Sequence, residues 1–104
     1  MSKSVDVLVA GGGTAGSVAA IASARLGLKT MVVERLNCLG GTTTAGLVTP
    51  LMGNSIQGQP LNRGLNAELK ERLSALGGGK DDYFDPELLK SVLDELATDS
   101  GVTV

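Results

Sequence analysis

An α/β fold built on a parallel sheet is predicted by three features of this 104-residue sequence. A β-branched run, Val5 to Ala10, leads directly into glycines; an alanine-rich stretch follows; and a second apolar run, Met31 to Val33, comes after that. Strand, glycine turn, helix and strand within about 30 residues point to a parallel βαβ crossover, the common arrangement for that order and length. The whole chain reads as one domain, 1–104, in the order β-α-β, long loop, α, α, β. The βαβ unit covers 4–34, a glycine-rich loop 35–60, and two helices with a third strand 61–104.

The first strand rests on Val5, Val7 and Val9, which alternate with Asp6 and Leu8 and end at Ala10; short β-branched alternation of this kind fits a strand. From Gly13 or Thr14 to Leu26 the spacing of Val18, Ala22 and Leu26 predicts a helix, which Gly27 ends. "KTMVVE" follows as the second strand, with the continuous apolar run of a strand covered on both faces. Five glycines and two prolines in 35–60 discourage any long regular element there, and loops of that length in compact domains tend to be functional or disordered.

Leucines at 61, 65, 69, 73 and 76 predict a one-faced helix from Asn62 to Leu76, stopped by Gly77 to Gly79. Another helix is signalled by Asp85 as cap, Pro86 in the first turn, a face of Leu89, Val92, Leu93 and Leu96, and Gly101 as terminator. "VTV" then starts a third strand. Three parallel strands in the order 3-2-1 are the simplest sheet, and they leave the first strand with a bare edge.

Composition narrows the function. With 42% apolar and 19% charged residues and a net charge of −2, the chain reads as globular, without the basic footprint of a nucleic-acid binder. Only one Tyr and one Phe are present, so stacking platforms are scarce. The single Cys38 and the lack of His exclude an intrachain disulfide and a four-ligand zinc site. Asp6 and the glycines break up the apolar region that a signal peptide would need, and no run reaches the roughly 18 apolar residues of a membrane span. A cytoplasmic location with no nucleic-acid or membrane partner is therefore expected.

The glycine turn carries the chemistry. Gly11, Gly13 and Gly16 form a GxGxxG pattern that follows a predicted strand and opens a predicted helix, the context such a fingerprint requires. Gly11 permits the tight turn, Gly13 lets the backbone approach a diphosphate, and Gly16 lets the helix pack close to the strand. N–H groups around Thr14, Ala15 and Gly16, at the positive end of the helix dipole, can then meet phosphate oxygens. Glu34 ends the second strand 18 residues past Gly16, where a carboxylate accepts from the hydroxyls of an adenosine ribose and repels a 2′-phosphate. Arg35 beside it keeps an NADP reading open.

On these residues the sequence resembles the FAD-dependent oxidoreductases of the two-dinucleotide-binding-domain flavoproteins. "DVLVAGGGTAGSVAAIASARLGLKTMVVER" looks like that family's N-terminal ADP-binding unit, "LGGTTTAGLV" like its second glycine signature, and "FDPELLKSVLDELATDSGVTV" like its helix leading into a third strand. The resemblance implies a partial Rossmann-like three-layer fold, incomplete relative to the full family domain. It implies the ADP half of FAD on Gly11, Gly13, Thr14, Ala15 and Gly16, ribose on Glu34, Arg35 near the adenine or ribose, and Gly40, Gly41 and Thr42 to Thr44 beside the pyrophosphate or flavin end. The family's C-terminal Gly-Asp segment and substrate domain have no counterpart in these residues. A fragment or small subunit completed by the remainder of the enzyme or another chain is expected, not catalytic alone, with homo-oligomerisation through the sheet edge as a further expectation.

Two other functions share the Gly11 to Glu34 pattern: the NAD-binding half of a dehydrogenase, and a non-catalytic nucleotide-binding module. No residue is assigned a catalytic role, because a bound flavin would carry the redox chemistry. Cys38 reads as a small, partly buried side chain, since no CxxC pair or His tunes it. The run Lys80 to Tyr83 reads as a solvated loop, Glu68, Lys70, Glu71 and Arg72 as the wet face of a helix, and Tyr83 and Phe84 as anchors of the last helix.

Overall fold

The computed structural model describes residues 4–49, 55–57, 59–60, 63–80 and 83–104. Strand β1 (Val7–Ala10) pairs in parallel with β2 (Thr30–Val33), with Val7 opposite Thr30 and Val9 opposite Val32. Helix α1 (Thr14–Arg25) is the crossover between them. Asp6 fastens the entrance to this unit, its backbone N–H donating to the Lys29 carbonyl and its carboxylate accepting from the Lys29 N–H, both at 2.8 Å. Gly27, at φ +86, ends the crossover helix in a conformation that favours glycine.

After a single 3-10 turn at Gly41–Thr43 come two short antiparallel ladders, β3 (Ser55–Ile56) with β4 (Gln59–Pro60) and β5 (Gly79–Lys80) with β6 (Tyr83–Phe84). Neither ladder was expected. Helix α2 (Leu65–Ala75) lies before β5, and α3 (Pro86–Ser100) after β6. The predicted start of α2 at Asn62 falls outside the described residues, and the helix begins after Gly64, which has a positive φ of 66°. Helix α3 matches its sequence signals: the Asp85 carboxylate accepts from the Glu87 N–H at 2.9 Å, Pro86 fills the first turn, and Gly101 closes the helix at φ +87.

The expected third strand is reduced to one isolated parallel bridge, Met31 with Thr103. The Val32 N–H donates to the Thr103 carbonyl at 2.7 Å and the Thr103 N–H to the Thr30 carbonyl at 3.0 Å. The described sheet is thus two-stranded, in the order β1-β2, rather than a three-stranded ladder in the order 3-2-1. The physical reason is length: one bridge at Thr103 is too short a pairing to make a ladder.

Helices and sheet share one core. Ala20 and Ile21 of α1, Val32 of β2, Leu69 and Leu73 of α2, and Leu89, Val92, Leu93 and Leu96 of α3 are all buried in it. Truncating a residue such as Leu93 to alanine there would cost roughly 2–5 kcal/mol. The opposite face of the sheet carries Leu8, 61% exposed, and Val33, 57% exposed. The described residues therefore form two layers, not the three expected.

The leucine stripe of α2 divides unevenly, with Leu69 and Leu73 buried and Leu76 exposed past the helix end. Of the two predicted aromatic anchors only Phe84 packs. Tyr83 is 66% exposed, because successive strand side chains point to opposite faces. Far from the glycine turn, charges tie the helices together. Arg25 of α1 donates to both Glu68 oxygens at 2.7 Å, while Arg72 reaches Glu68 and Glu95 at 3.5 Å.

Candidate functional site

The site begins where β1 hands the chain to α1. Gly11 sits at φ +103 and its N–H donates to the Val33 carbonyl at 2.8 Å, continuing the β1-β2 ladder into the turn. Gly16 lies so close to that turn that a Cβ on it would stand 1.9 Å from the Gly11 carbonyl oxygen. At Gly13, the N-cap of α1, the same test meets nothing within 4 Å. So Gly16 is glycine for packing inside the protein, whereas Gly13 faces open space.

No side chain caps α1. The N–H groups of Ala15 and Gly16, in its first turn, stand at the positive end of the helix with no capping acceptor, an arrangement suited to an anion. Thr14 and Ala15 are exposed at this end.

The second glycine loop is brought against the first. Gly40 forms an isolated parallel bridge with Gly13, and its N–H donates to the Gly12 carbonyl at 2.8 Å. A Cβ on Gly41 would lie 3.0 Å from the Gly13 Cα. Gly40 and Gly41 thus meet the turn directly, while Thr42 next to them is exposed.

Glu34 follows β2 immediately and is half-buried. Its Oε2 is buried with no hydrogen-bond partner among the described residues. A cavity of about 150 Å³ opens there, lined by Glu34, Leu36, Asn37, Cys38, Asp94 and Val104 among others. Arg35 is exposed and outside that lining. A larger cavity of about 490 Å³ lies on the other side of Thr14, between α1, α2 and α3, with Leu69, Leu73, Leu89 and Leu93 in its walls. Thr14, Thr43, Arg63 and Asn66 are its polar members, and Gly11, Gly13 and Gly16 of the glycine turn do not line it.

Two participants, Gly12 and Ser17, were given no role by the sequence, and a third, Thr43, was expected only as part of the second glycine signature. Gly12, which took the variable place in the pattern, would with a Cβ meet Leu39 Cδ2 at 2.6 Å, and its carbonyl accepts from the Ser17 hydroxyl at 2.8 Å. Ser17 itself is buried, so its hydroxyl secures the turn from beneath. Thr43 donates to the Gly40 carbonyl at 2.8 Å. Only the third carried a sequence signal, its place in the threonine run. Cys38 is half-buried with its Sγ 3.9 Å from the Thr44 hydroxyl, and among the described residues no group of His, Cys, Asp and Glu could hold a metal ion.

A glycine turn opening an uncapped helix, with an unpartnered carboxylate at the end of the adjacent parallel strand, places this chain among α/β cofactor-binding domains of partial Rossmann-like fold. A family model described as FAD dependent oxidoreductase matches residues 6–104, and the chain belongs to that family; its cofactor is FAD. Curated relatives include dihydrolipoyl dehydrogenase of Bacillus subtilis (strain 168), 60% identical over 42 residues, which are 40% of this chain and 9% of that protein. Another is leghemoglobin reductase of Glycine max, 60% identical over 37 residues, 36% of this chain and 7% of that protein. The matches thus span less than a tenth of these relatives' length. A solved structure of a flavin monooxygenase from Stenotrophomonas maltophilia shares the fold at TM-score 0.50 and 21% identity, covering 97% of this chain and 28% of that one.

Proposed function

We propose that this chain binds the ADP half of FAD as the N-terminal cofactor-binding part of a flavin-dependent oxidoreductase. One observation carries the reading: on adjacent ends of β1 and β2 the protein offers an anion cradle free of side chains at Gly13 and a buried, unpartnered acceptor at Glu34 Oε2. Their chemistry fits the two polar parts of an adenosine diphosphate, the diphosphate and the ribose diol.

In this reading the Ala15 and Gly16 N–H groups donate to the diphosphate, with the positive end of α1 adding attraction. Gly11 turns the chain so that those groups face outward. Glu34 accepts from the ribose hydroxyls, Arg35 lies near the adenine or ribose, and Gly40, Gly41 and Thr42 flank the pyrophosphate. FAD, when bound, supplies the redox chemistry through its flavin ring.

The small share of its relatives that the chain matches supports a catalytic unit that needs further residues, from the same protein or another subunit. Titration of the intact protein with FAD, ADP and NAD, followed by flavin fluorescence and by competition, tests the reading. FAD should bind and ADP should displace it. No FAD binding, or displacement by NAD at lower concentration than by ADP, would overturn it.

A further inference from the structure

We propose that Thr43 is a positioning residue: with Thr14 it latches the carbonyl of Gly40 and so holds the second glycine loop against the first, leaving Thr14 to meet the cofactor through backbone rather than through its hydroxyl. The inference rests on the glycine turn being the diphosphate cradle.

The Thr14 hydroxyl donates to the Gly40 carbonyl oxygen at 2.9 Å, and the Thr43 hydroxyl donates to the same oxygen at 2.8 Å. The two hydroxyl oxygens stand 3.2 Å apart. The Thr43 N–H of the 3-10 turn also donates to this oxygen, at 3.1 Å, so three donors converge on one carbonyl: two from Thr43 fix it within its own loop, and the Thr14 hydroxyl ties it to the first turn. What the two threonines have left is acceptor capacity. A diphosphate at neutral pH is itself an acceptor, so the Thr14 hydroxyl can serve it only by giving up its bond from the first turn to Gly40.

The cost of that release reaches the cradle. Gly40 is in a left-handed conformation at φ +104, and a Cβ there would collide with the Thr44 side chain at 2.5 Å. Its N–H holds the Gly12 carbonyl, it bridges Gly13, and Gly41 packs on the Gly13 Cα. Moving Gly40 therefore moves the two residues that shape the diphosphate's approach. Thr43 is only 8% exposed and, with Thr14, borders the larger cavity, where its hydroxyl is already engaged by the Gly40 carbonyl.

The test compares Thr43→Val, Thr43→Ser and Thr14→Val in the intact protein by hydrogen exchange of the Gly40 amide and by FAD affinity. Losing one neutral hydrogen bond, Thr43→Val should speed Gly40 exchange and weaken FAD each by about five- to tenfold, while the Val92 and Leu96 amides in α3 keep their protection. Thr43→Ser should restore both, because it returns the hydroxyl. Thr14→Val should resemble Thr43→Val in both readouts.

If Thr43→Val exchanges and binds as the parent protein does, or if Thr43→Ser fails to rescue it, the latch is wrong even though FAD binds. If Thr14→Val weakens FAD while leaving Gly40 exchange untouched, its hydroxyl serves the cofactor and the proposal falls. A parent protein that binds no FAD, yet shows the exchange pattern above, would keep the latch and remove the cofactor reading instead.

Discussion

The carbonyl oxygen of Gly11 lies 1.9 Å from where a Cβ on Gly16 would be. No side-chain rotation relieves that overlap, because the obstructing atom is backbone of the neighbouring turn. Gly16→Ala is accordingly expected to cost about 3 kcal/mol or more, the upper end for overpacking. Urea denaturation of the ligand-free protein measures it, and an unshifted midpoint would refute the packing role.

Gly13 makes the opposite prediction. Its φ of −67° suits any residue, and a Cβ there meets nothing within 4 Å. Gly13→Ala should change stability by no more than about 1 kcal/mol, the poorer alanine N-cap offsetting the entropy lost by the unfolded chain, yet weaken FAD by about tenfold or more because the methyl group projects into the diphosphate's approach. Melting curves with and without FAD separate the two effects; equal affinity for both proteins would remove Gly13 from the cradle.

At Glu34 the expected signs for stability and binding also differ. A buried oxygen without a partner is a cost to the ligand-free protein. Glu34→Gln removes the charge and should keep the ligand-free stability within about 1 kcal/mol of the parent, or improve it. FAD affinity should fall about tenfold, since charge-assisted hydrogen bonds to the ribose become neutral ones. Calorimetric titration checks this, and undiminished affinity would contradict the assigned role.

The charge network predicts a pH dependence. Hydrogen bonding from the Arg25 guanidinium, with Arg72 adding attraction, holds the Glu68 carboxyl below its ordinary value. A lowered folded-state value means that the contribution is complete above the unfolded value of about 4.3 and fades as pH falls through the folded one. The pair is 39% and 31% exposed, so solvent screens it to roughly 0.5–1 kcal/mol. Glu68→Gln should lose that amount at pH 7, and the gap between parent and variant should close below about pH 4. A gap that stays constant across this range would show that the charge is not responsible.

Helix α3 was legible almost to the residue because its signals are local. An Asp cap, a proline in the first turn and a terminal glycine each act on backbone within a few positions. The crossover unit was legible for the same reason, through short alternation, alanine periodicity and Gly27. Tyr83 was misread because its exposure depends on which face β6 turns to the core, a matter of register with β5. The third strand fell short because a ladder needs partners across space, and only Thr103 finds one in Met31.

At the site, the sequence by itself determined the first glycine turn, the helix it opens and the acid that ends β2, since spacing along one βαβ unit dictates all three. Tertiary structure alone decided that Gly12 packs on Leu39, that Glu34 Oε2 is buried without a partner, and that Gly40, 27 residues beyond Gly13, lies against it. Those facts arise from contacts between segments distant in the chain. No periodicity encodes them, because a carbonyl's choice of donor is settled only when both segments are packed in place.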